Sequence, residues 1–143
     1  MSGAKSNYLA WIAKADHDFL NIQNNLNGPN VPWDTVCFHA QQAAEKLLKA
    51  FLVYHGQPFL RTHDLVAILA GCVAIEPSLS ALEDDCRRLT YYAVTARYPD
   101  DLYEPAETDG REMLVAASRV RRAILVLLPE SGRTPPGEAA KGR

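Results

Sequence analysis

The fold is decided by residues 34–55, which read D-T-V-C-F-H-A-Q-Q-A-A-E-K-L-L-K-A-F-L-V-Y-H. Apolar residues recur there at steps of three and four, the spacing of one face of an α-helix. Asp34 is a suitable N-cap for this helix, and Gly56 is a suitable residue to end it. The seam of this face consists of Val36, Ala40, Ala43, Leu47, Ala50 and Tyr54. The alanines leave little side-chain bulk, so a neighbouring helix can approach closely.

Helical periodicity continues on both sides of this segment, and no stretch alternates with period two for long. We therefore predict an all-α, up-and-down helical bundle of four to five helices. Asp18 is expected on the solvent side of the first helix. Thr62 is expected to cap the third helix, and Ser78 is expected to cap the fourth helix. Asp109 is expected to begin a capping box with Glu112. The predicted segments are 6–26, 34–55, 62–72, 78–96 and 109–128, which form one domain over 6–128, followed by a disordered tail at 129–143 rich in Gly, Pro and charge.

Composition and charge narrow the class of protein. The chain has 143 residues, a net charge of −2 and a pI near 6.1, so no global positive field attracts nucleic acid. The three cysteines, Cys37, Cys72 and Cys86, are scattered among apolar residues and predict buried free thiols. Neither a secretory signal nor an apolar run long enough for a membrane span is found, so we expect a cytoplasmic protein without a membrane partner.

Polar residues on the helix at 34–55 allow two interpretations. A solvated face with helix-stabilising pairs is favoured over a polar wall lining a dimer cleft; the stripe comprises Gln41, Gln42, Glu45, Lys46 and Lys49. The four histidines lack a partner four residues away, so no metal site and no cofactor are predicted. His63 is singled out because it stands beside Asp64 at the start of the third helix.

Two sets of arginines are candidates for phosphate binding. Surface ion pairing is favoured for the first set, because acidic residues lie one turn away; it comprises Arg87, Arg88, Arg119, Arg121 and Arg122. The second candidate is Arg97, which ends a predicted helix and is followed by Tyr98 and Pro99. Its guanidinium can bind a phosphate bidentately, or it can pair with Asp100 or Asp101, and the sequence favours neither. Nearby tyrosines can stack on bases or donate hydrogen bonds.

Four blocks together resemble one family. They are W-I-A-K-A-D-H-D at 11–18, A-Q-Q-A-A-E-K-L-L-K-A at 40–50, H-D-L at 63–65 and R-Y-P-D at 97–100. In this order and spacing the chain resembles the HEPN domain over about residues 8–128. The resemblance implies a helical bundle, a homodimer and a role in toxin–antitoxin or defence modules beside a minimal nucleotidyltransferase. Many HEPN proteins are metal-independent ribonucleases, with an Arg and a His that are separated by four to six residues and lie in a cleft shared by two protomers.

This chain departs from that pattern where the histidine is expected. Arg97 matches the arginine, but the positions open to the histidine hold Leu102, Tyr103 and Glu104. A phenol titrates near 10, so Tyr103 is a poor proton shuttle near neutral pH. Loss of general acid–base catalysis removes roughly 10²–10⁴-fold in rate. Arg97 and Tyr103 are thus a doubtful catalytic pair.

Three hypotheses follow. The leading one is a homodimeric HEPN protein, degenerate as a ribonuclease, that binds a nucleotide or a partner protein. Its ligand-binding residues are predicted to be Arg97, Tyr98, Asp100, Tyr92 and His63, and its dimer interface Ala40, Ala43, Ala44 and Leu47. The second is an RNA-cleaving toxin that uses Arg97 with Tyr103 or His63. The third is a structural helical adaptor without a ligand.

Overall fold

The computed structural model describes residues 2–95 and 104–129. This part of the chain contains five α-helices, one 3₁₀ helix at Pro77–Leu82, and no β-strand. The all-α prediction is confirmed. The α-helices are α1 (Ser2–Leu26), α2 (Trp33–Tyr54), α3 (Leu65–Ile75), α4 (Glu83–Thr95) and α5 (Glu107–Leu125).

Helix α2 is the centre of the bundle. It packs against each of the four other α-helices, most extensively against α1 and α5. Buried residues therefore cover more than half of its circumference, and the polar residues Gln41 and Glu45 are among them. The largest fully buried side chains of the core are Phe51, Ile22, Leu47, Leu48, Leu65, Ile68, Leu89, Met113, Ile124, Val36 and Val120.

The ends of α2 differ slightly from prediction. The helix begins at Trp33, so Asp34 lies in the first turn instead of at the N-cap, where its negative charge still favours the helix N-terminus. The predicted stop at Gly56 is confirmed: its φ is +69°, in the left-handed region that glycine adopts readily. The amides of Gly56 and Gln57 donate to the carbonyls of Val53 and Leu52 at 3.0 and 2.9 Å. This is the Schellman arrangement, and it satisfies carbonyls that the helix end leaves open.

The residues predicted to cap α3 and α4 are not the ones that cap these helices in the structure. Asp64, not Thr62, caps α3: its carboxylate accepts the Val66 amide at 3.0 Å, whereas Thr62 accepts the Asp64 amide at 3.1 Å. The predicted fourth helix is divided into the 3₁₀ helix Pro77–Leu82 and α4, so Ser78 does not cap an α-helix. Proline suits a first turn, because its missing N–H would be unpaired there in any case.

Helix α5 begins two residues before the predicted capping residue. Asp109 is the third residue of the helix, and its Oδ2 accepts the Ala106 amide at 2.8 Å. One turn is thereby added ahead of the expected start. A Cβ on Gly110 would lie 2.5 Å from Cε3 of Trp33, so the N-terminal turns of α2 and α5 meet closely. Any side chain at 110 would push the two helices apart.

None of the helices in 2–95 and 104–129 is both long and apolar enough to cross a membrane. Of the predicted tail at 129–143, only Pro129 falls within the described residues.

Candidate anion-binding cleft

A cleft of about 520 Å³ lies where the connection between α2 and α3 folds back on α2. We call it the His63 cleft. It is lined by Lys49, Pro58, Phe59, Arg61, Thr62 and His63. Lysine and arginine are cationic at neutral pH, and an imidazole can donate a hydrogen bond or, when protonated, add charge. The described lining contains no carboxylate, so the cleft is suited to an anion.

Behind the cleft lies a buried carboxylate that holds its cationic residues. The side chain of Glu45 is 6% exposed. Its Oε2 accepts a hydrogen bond from Nζ of Lys49 at 2.7 Å, and its Oε1 contacts Nδ1 of His63 at 3.0 Å. The amide of Gln41 donates to Glu45 Oε1 at 3.1 Å and to the His63 carbonyl at 3.0 Å. Gln41 thus fixes both the carboxylate and the backbone that carries the imidazole.

Glu45 is ionised in this setting. Burial alone would raise the pKa of its carboxyl, but the hydrogen bonds from Lys49, His63 and Gln41 and the Lys49 charge together lower it below the ordinary value. An ionised carboxylate only accepts hydrogen bonds, so Nδ1 of His63 must carry the proton in their contact. The side chain of His63 is 73% exposed, and Nε2 is the ring nitrogen that Glu45 does not engage. A carboxylate that fixes the tautomer in this way prepares an imidazole for ligand binding or proton transfer.

Aromatic rings hold the lysine from the other side. Nζ of Lys49 lies 5.0 Å from the ring centroid of Phe59 and 5.6 Å from that of Trp11. The two rings meet edge to face at 5.6 Å. Cation–π attraction and the Glu45 ion pair therefore confine an ammonium group whose side chain is only 12% exposed.

A second buried carboxylate lies on the interface between α1 and α2. Asp18, with a side chain 8% exposed, contacts Nδ1 of His39 and Nζ of Lys46, both at 2.7 Å. The expectation that Asp18 faces solvent is therefore wrong. Its position on α1 faces the polar flank of α2, where the Lys46 ammonium and the His39 imidazole offset the cost of burial.

The polar stripe of α2 is accordingly not a solvated face. Gln41 and Glu45 are buried, and Gln42 donates to Gln41 at 2.9 Å. Lys46 is bound separately, to Asp18. The favoured interpretation, a solvated face, was wrong because no residue of α2 from Thr35 to Tyr54 is exposed. The surface ion pairs predicted for the arginines are confirmed for Arg87 with Glu83 and Asp84, and for Arg119 with Asp85.

The family of this chain is decided by its match to a family model. The model described as the HEPN domain matches residues 8–127, which is most of the chain. The chain belongs to the HEPN family. No curated protein and no solved structure matches this HEPN chain significantly.

The predicted HEPN site is only partly described. Arg97, Tyr98, Asp100 and Tyr103 lie outside the described residues. His63 lines the cleft, as the prediction of a ligand-binding role requires.

Tyr92 is placed elsewhere. Its hydroxyl donates to Oδ1 of Asp109 at 3.1 Å, at the start of α5, and it does not line the His63 cleft. Within the described part of the HEPN chain, the structure does not bring Tyr92 and His63 together in one cleft.

The residues predicted for the dimer interface lie in the core of the bundle. Ala40, Ala43, Ala44 and Leu47 each have 0% exposure within a single copy of the chain. A second copy cannot touch them while this HEPN bundle is closed. Their small side chains do allow close approach, as predicted, but the approaching helices belong to the same chain, because α2 is packed on by all four others.

The cysteines are buried free thiols, as predicted. Burial raises the pKa of Cys37, Cys72 and Cys86 to about 12, and nearby carboxylates add to the effect at Cys37 and Cys86. All three thiols are protonated at neutral pH, and a protonated thiol is neither a nucleophile nor a metal ligand.

Sequence reasoning weighed Gln41, Glu45 and Lys49 only as part of a polar wall in a dimer cleft and did not include them among the predicted site residues. A signal was present: Gln41, Glu45 and Lys49 follow one another at steps of four along α2, so they share one stripe of the helix. That stripe runs along a helix whose apolar residues extend well beyond a single face. Polar residues on such a helix are forced into partial burial and need partners.

Proposed function

We propose that this HEPN protein binds a nucleotide through the His63 cleft. Lys49, Arg61 and His63 offer donors to phosphate oxygens, and the apolar surfaces of Pro58 and Phe59 border them. Charge-assisted hydrogen bonds to phosphate are the strong class of such contacts. The cleft volume of about 520 Å³ falls within the range of small-molecule sites.

In this proposal the protein is a homodimer, degenerate as a ribonuclease, and works beside a minimal nucleotidyltransferase in a toxin–antitoxin or defence module. Membership of the HEPN family supports it, as does the lack of a histidine at positions 102–104, where the motif following Arg97 would place one. Because Ala40, Ala43, Ala44 and Leu47 are buried, the dimer must use other surfaces. Light scattering of the purified protein tests the dimer, and co-purification with a nucleotidyltransferase encoded beside it tests the partner.

ATP titration followed by calorimetry and thermal unfolding tests the cleft. Ligand at 100 times its Kd stabilises the folded state by about 2.7 kcal/mol, which raises Tm by roughly 5 °C or more. Arg61→Gln removes one charged donor and should weaken binding about tenfold. Arg87→Gln is the matched control, since Arg87 pairs with Glu83 and Asp84 and does not line the cleft.

The same titration with Arg97→Ala tests the sequence-based part of the site separately. Weaker binding in both Arg61→Gln and Arg97→Ala supports one site containing both arginines. No binding of ATP by the wild-type protein, or equal binding by Arg61→Gln, contradicts the proposal.

A second candidate function, metal-independent RNA cleavage, is favoured by the contact between Glu45 and His63. A carboxylate that holds Nδ1–H leaves Nε2 as a base, which is the arrangement of a general acid–base histidine. RNA incubated with the protein in EDTA tests this candidate. Cleavage that falls roughly 10²-fold or more in His63→Gln and in Arg97→Ala supports it; intact RNA with the wild-type protein rejects it.

A further inference from the structure

The ring nitrogen Nε2 of His63 determines how the imidazole in the His63 cleft can meet a phosphate. Nδ1 lies 3.0 Å from Oε1 of the ionised Glu45 and therefore carries the proton of a neutral imidazole. Nε2 is then an acceptor with a lone pair, on a side chain that is 73% exposed. A phosphate oxygen is an acceptor as well. Two acceptors cannot share a hydrogen bond unless a proton is added.

The contact that fixes this tautomer is itself held from both sides. Gln41 donates to the same Glu45 oxygen at 3.1 Å and to the His63 carbonyl at 3.0 Å. Lys49 donates to the other oxygen of the carboxylate at 2.7 Å. A neutral imidazole with its proton on Nε2 would set the Nδ1 lone pair against an ionised carboxylate, which is repulsive. His63 can thus donate to a phosphate oxygen from Nε2 only as the imidazolium.

The charged groups around the imidazole come from α2, from the connection that follows it and from the start of α3. They are Glu45 and Lys49, Arg61, and Asp64, which is engaged as the N-cap of α3. Lysine and arginine are cationic at neutral pH, so they meet a phosphate without taking up a proton. The groups of α1 and α4 that contact these residues are uncharged; they are the Trp11 ring beside Lys49 and the Thr90 hydroxyl at the Leu65 amide. His63 is therefore the group that can gain positive charge when an anion enters.

We propose that nucleotide binding in the His63 cleft is coupled to the uptake of one proton, which comes from the solvent and stays on Nε2 of His63 in the complex. This inference rests on the proposed nucleotide function of the same cleft. The hydrogen bond from Nδ1 to Glu45 is kept, and Nε2–H joins Lys49 and Arg61 as a charged donor to phosphate. Because the complex holds more protons than the free protein and ligand, its affinity falls as the pH rises.

Calorimetry of ATP binding to the full-length protein at about pH 7.5 counts the protons, since a free imidazole is largely neutral there. The titration is made in Tris and in HEPES, two buffers with different heats of ionisation. The difference between the two binding enthalpies, divided by the difference between the two heats of ionisation, gives the protons taken up per ATP. We expect about 0.4 to 0.9, and a Kd that increases roughly four- to tenfold between about pH 6.5 and 8.

His63→Gln tests where the proton is held, because a glutamine amide offers an N–H donor that does not titrate. This variant should still bind ATP through Lys49 and Arg61, but with an uptake close to zero. It also serves as the reference for the titration of ATP itself. His17→Gln, at an exposed position of α1 outside the cleft, is the matched control and should keep the uptake of the wild type.

Glu45→Gln tests the role of the carboxylate as a positioning group. Without the negative charge, a neutral His63 can carry its proton on Nε2 and donate to phosphate directly. The uptake should therefore fall close to zero although the imidazole is still present. A folded Glu45→Gln protein with the uptake of the wild type contradicts the assigned role of Glu45; if this variant does not fold, His63→Gln alone decides.

Two further outcomes overturn the inference while leaving the nucleotide site in place. Equal binding enthalpies of the wild type in the two buffers show that no proton is taken up, as expected if Nε2 accepts from a hydroxyl or amino group of the nucleotide. An uptake that persists in His63→Gln places the proton on another group. Absence of both a heat of binding and a rise in Tm with the wild-type protein contradicts the proposed nucleotide function itself, and this inference with it.

Discussion

Two regions of this protein handle carboxylates in opposite ways. Where α2 meets α1 and the start of α3, Asp18 and Glu45 have side chains only 8% and 6% exposed, and each contacts an imidazole and an ammonium group. On α4, Glu83 and Asp84 are 56% and 79% exposed and share Arg87. The residue types are similar, so the difference comes from their place in the bundle.

The burial of a charged side chain therefore determines how much its ion pairs contribute to stability. Exposed ion pairs are screened by water and contribute little to stability. A buried carboxylate whose partners are removed leaves unpaired charge in the interior, which is strongly destabilising. Substitutions in the two regions should therefore separate by size of effect.

The largest effect is expected where a carboxylate enters α2 without partners. Ala43→Glu places a charge at a position with 0% exposure, and its cost should exceed about 4 kcal/mol and prevent folding. Circular dichroism and gel filtration check this. Ala70→Glu, on an exposed position of α3, is the control and should fold normally. A folded Ala43→Glu protein with an unchanged Tm would contradict the central placement of α2.

Removing a carboxylate that has partners should cost less. Glu45→Ala leaves the nearly buried Lys49 without its ion pair and should lower the free energy of unfolding by about 3 kcal/mol. Urea denaturation measures it. Glu83→Ala, in the exposed region, should change stability by no more than about 0.5 kcal/mol. Equal effects of the two substitutions would abolish the contrast between the regions.

Lowering the pH should remove the contribution of ionised Glu45 to the free energy of unfolding. Its pKa is lowered in the folded state, so its contribution is complete above the unfolded-state value near 4.3 and is lost as the pH falls through the folded-state value. The difference in unfolding free energy between the wild type and Glu45→Gln should therefore be present at about pH 5 and shrink below about 4. A difference that grows as the pH falls below about 4 would contradict the ionised state.

The smallest effect is expected for the exposed ion pair between Glu83 and Arg87, and salt should reduce it further. A double-mutant cycle with Glu83→Ala and Arg87→Ala should give a coupling below about 0.5 kcal/mol that fades at high salt, because exposed charges are screened. A cycle with Asp18→Asn and Lys46→Met should give a larger coupling that persists, since both Asp18 oxygens are engaged in a buried setting. Equal salt dependence of the two couplings would show that Asp18 is solvated.

The sequence predicted the helices well but assigned the polar residues poorly. Periodicity located all five α-helices, because an apolar stripe has to face the core. It could not show that α2 is surrounded by four helices, since that depends on contacts between distant segments. Asp18 and Glu45 were therefore expected in solvent, and four core residues were assigned to a dimer interface. Only the packing of the other helices on α2 shows that Ala40 and Leu47 are buried within one copy of the chain.

For the site, the sequence identified His63 but not what holds it. Glu45 is eighteen positions away from His63, a separation at which periodicity carries no information about contact. Arg88 makes ion pairs as predicted from the sequence, with Asp85 and Glu112 at 3.7 Å each. Only the three-dimensional arrangement shows that Nε of Arg88 lacks a partner.

One carboxylate near the start of α5 has a consequence for protein engineering. Asp109 accepts from the Tyr92 hydroxyl through Oδ1 and from the Ala106 amide through Oδ2, at 3.1 and 2.8 Å. The chain on both sides of residues 96–103 is thus fastened to the same side chain. We therefore expect these two flanks to stay joined through Asp109 when the sequence between them is exchanged for that of another HEPN protein.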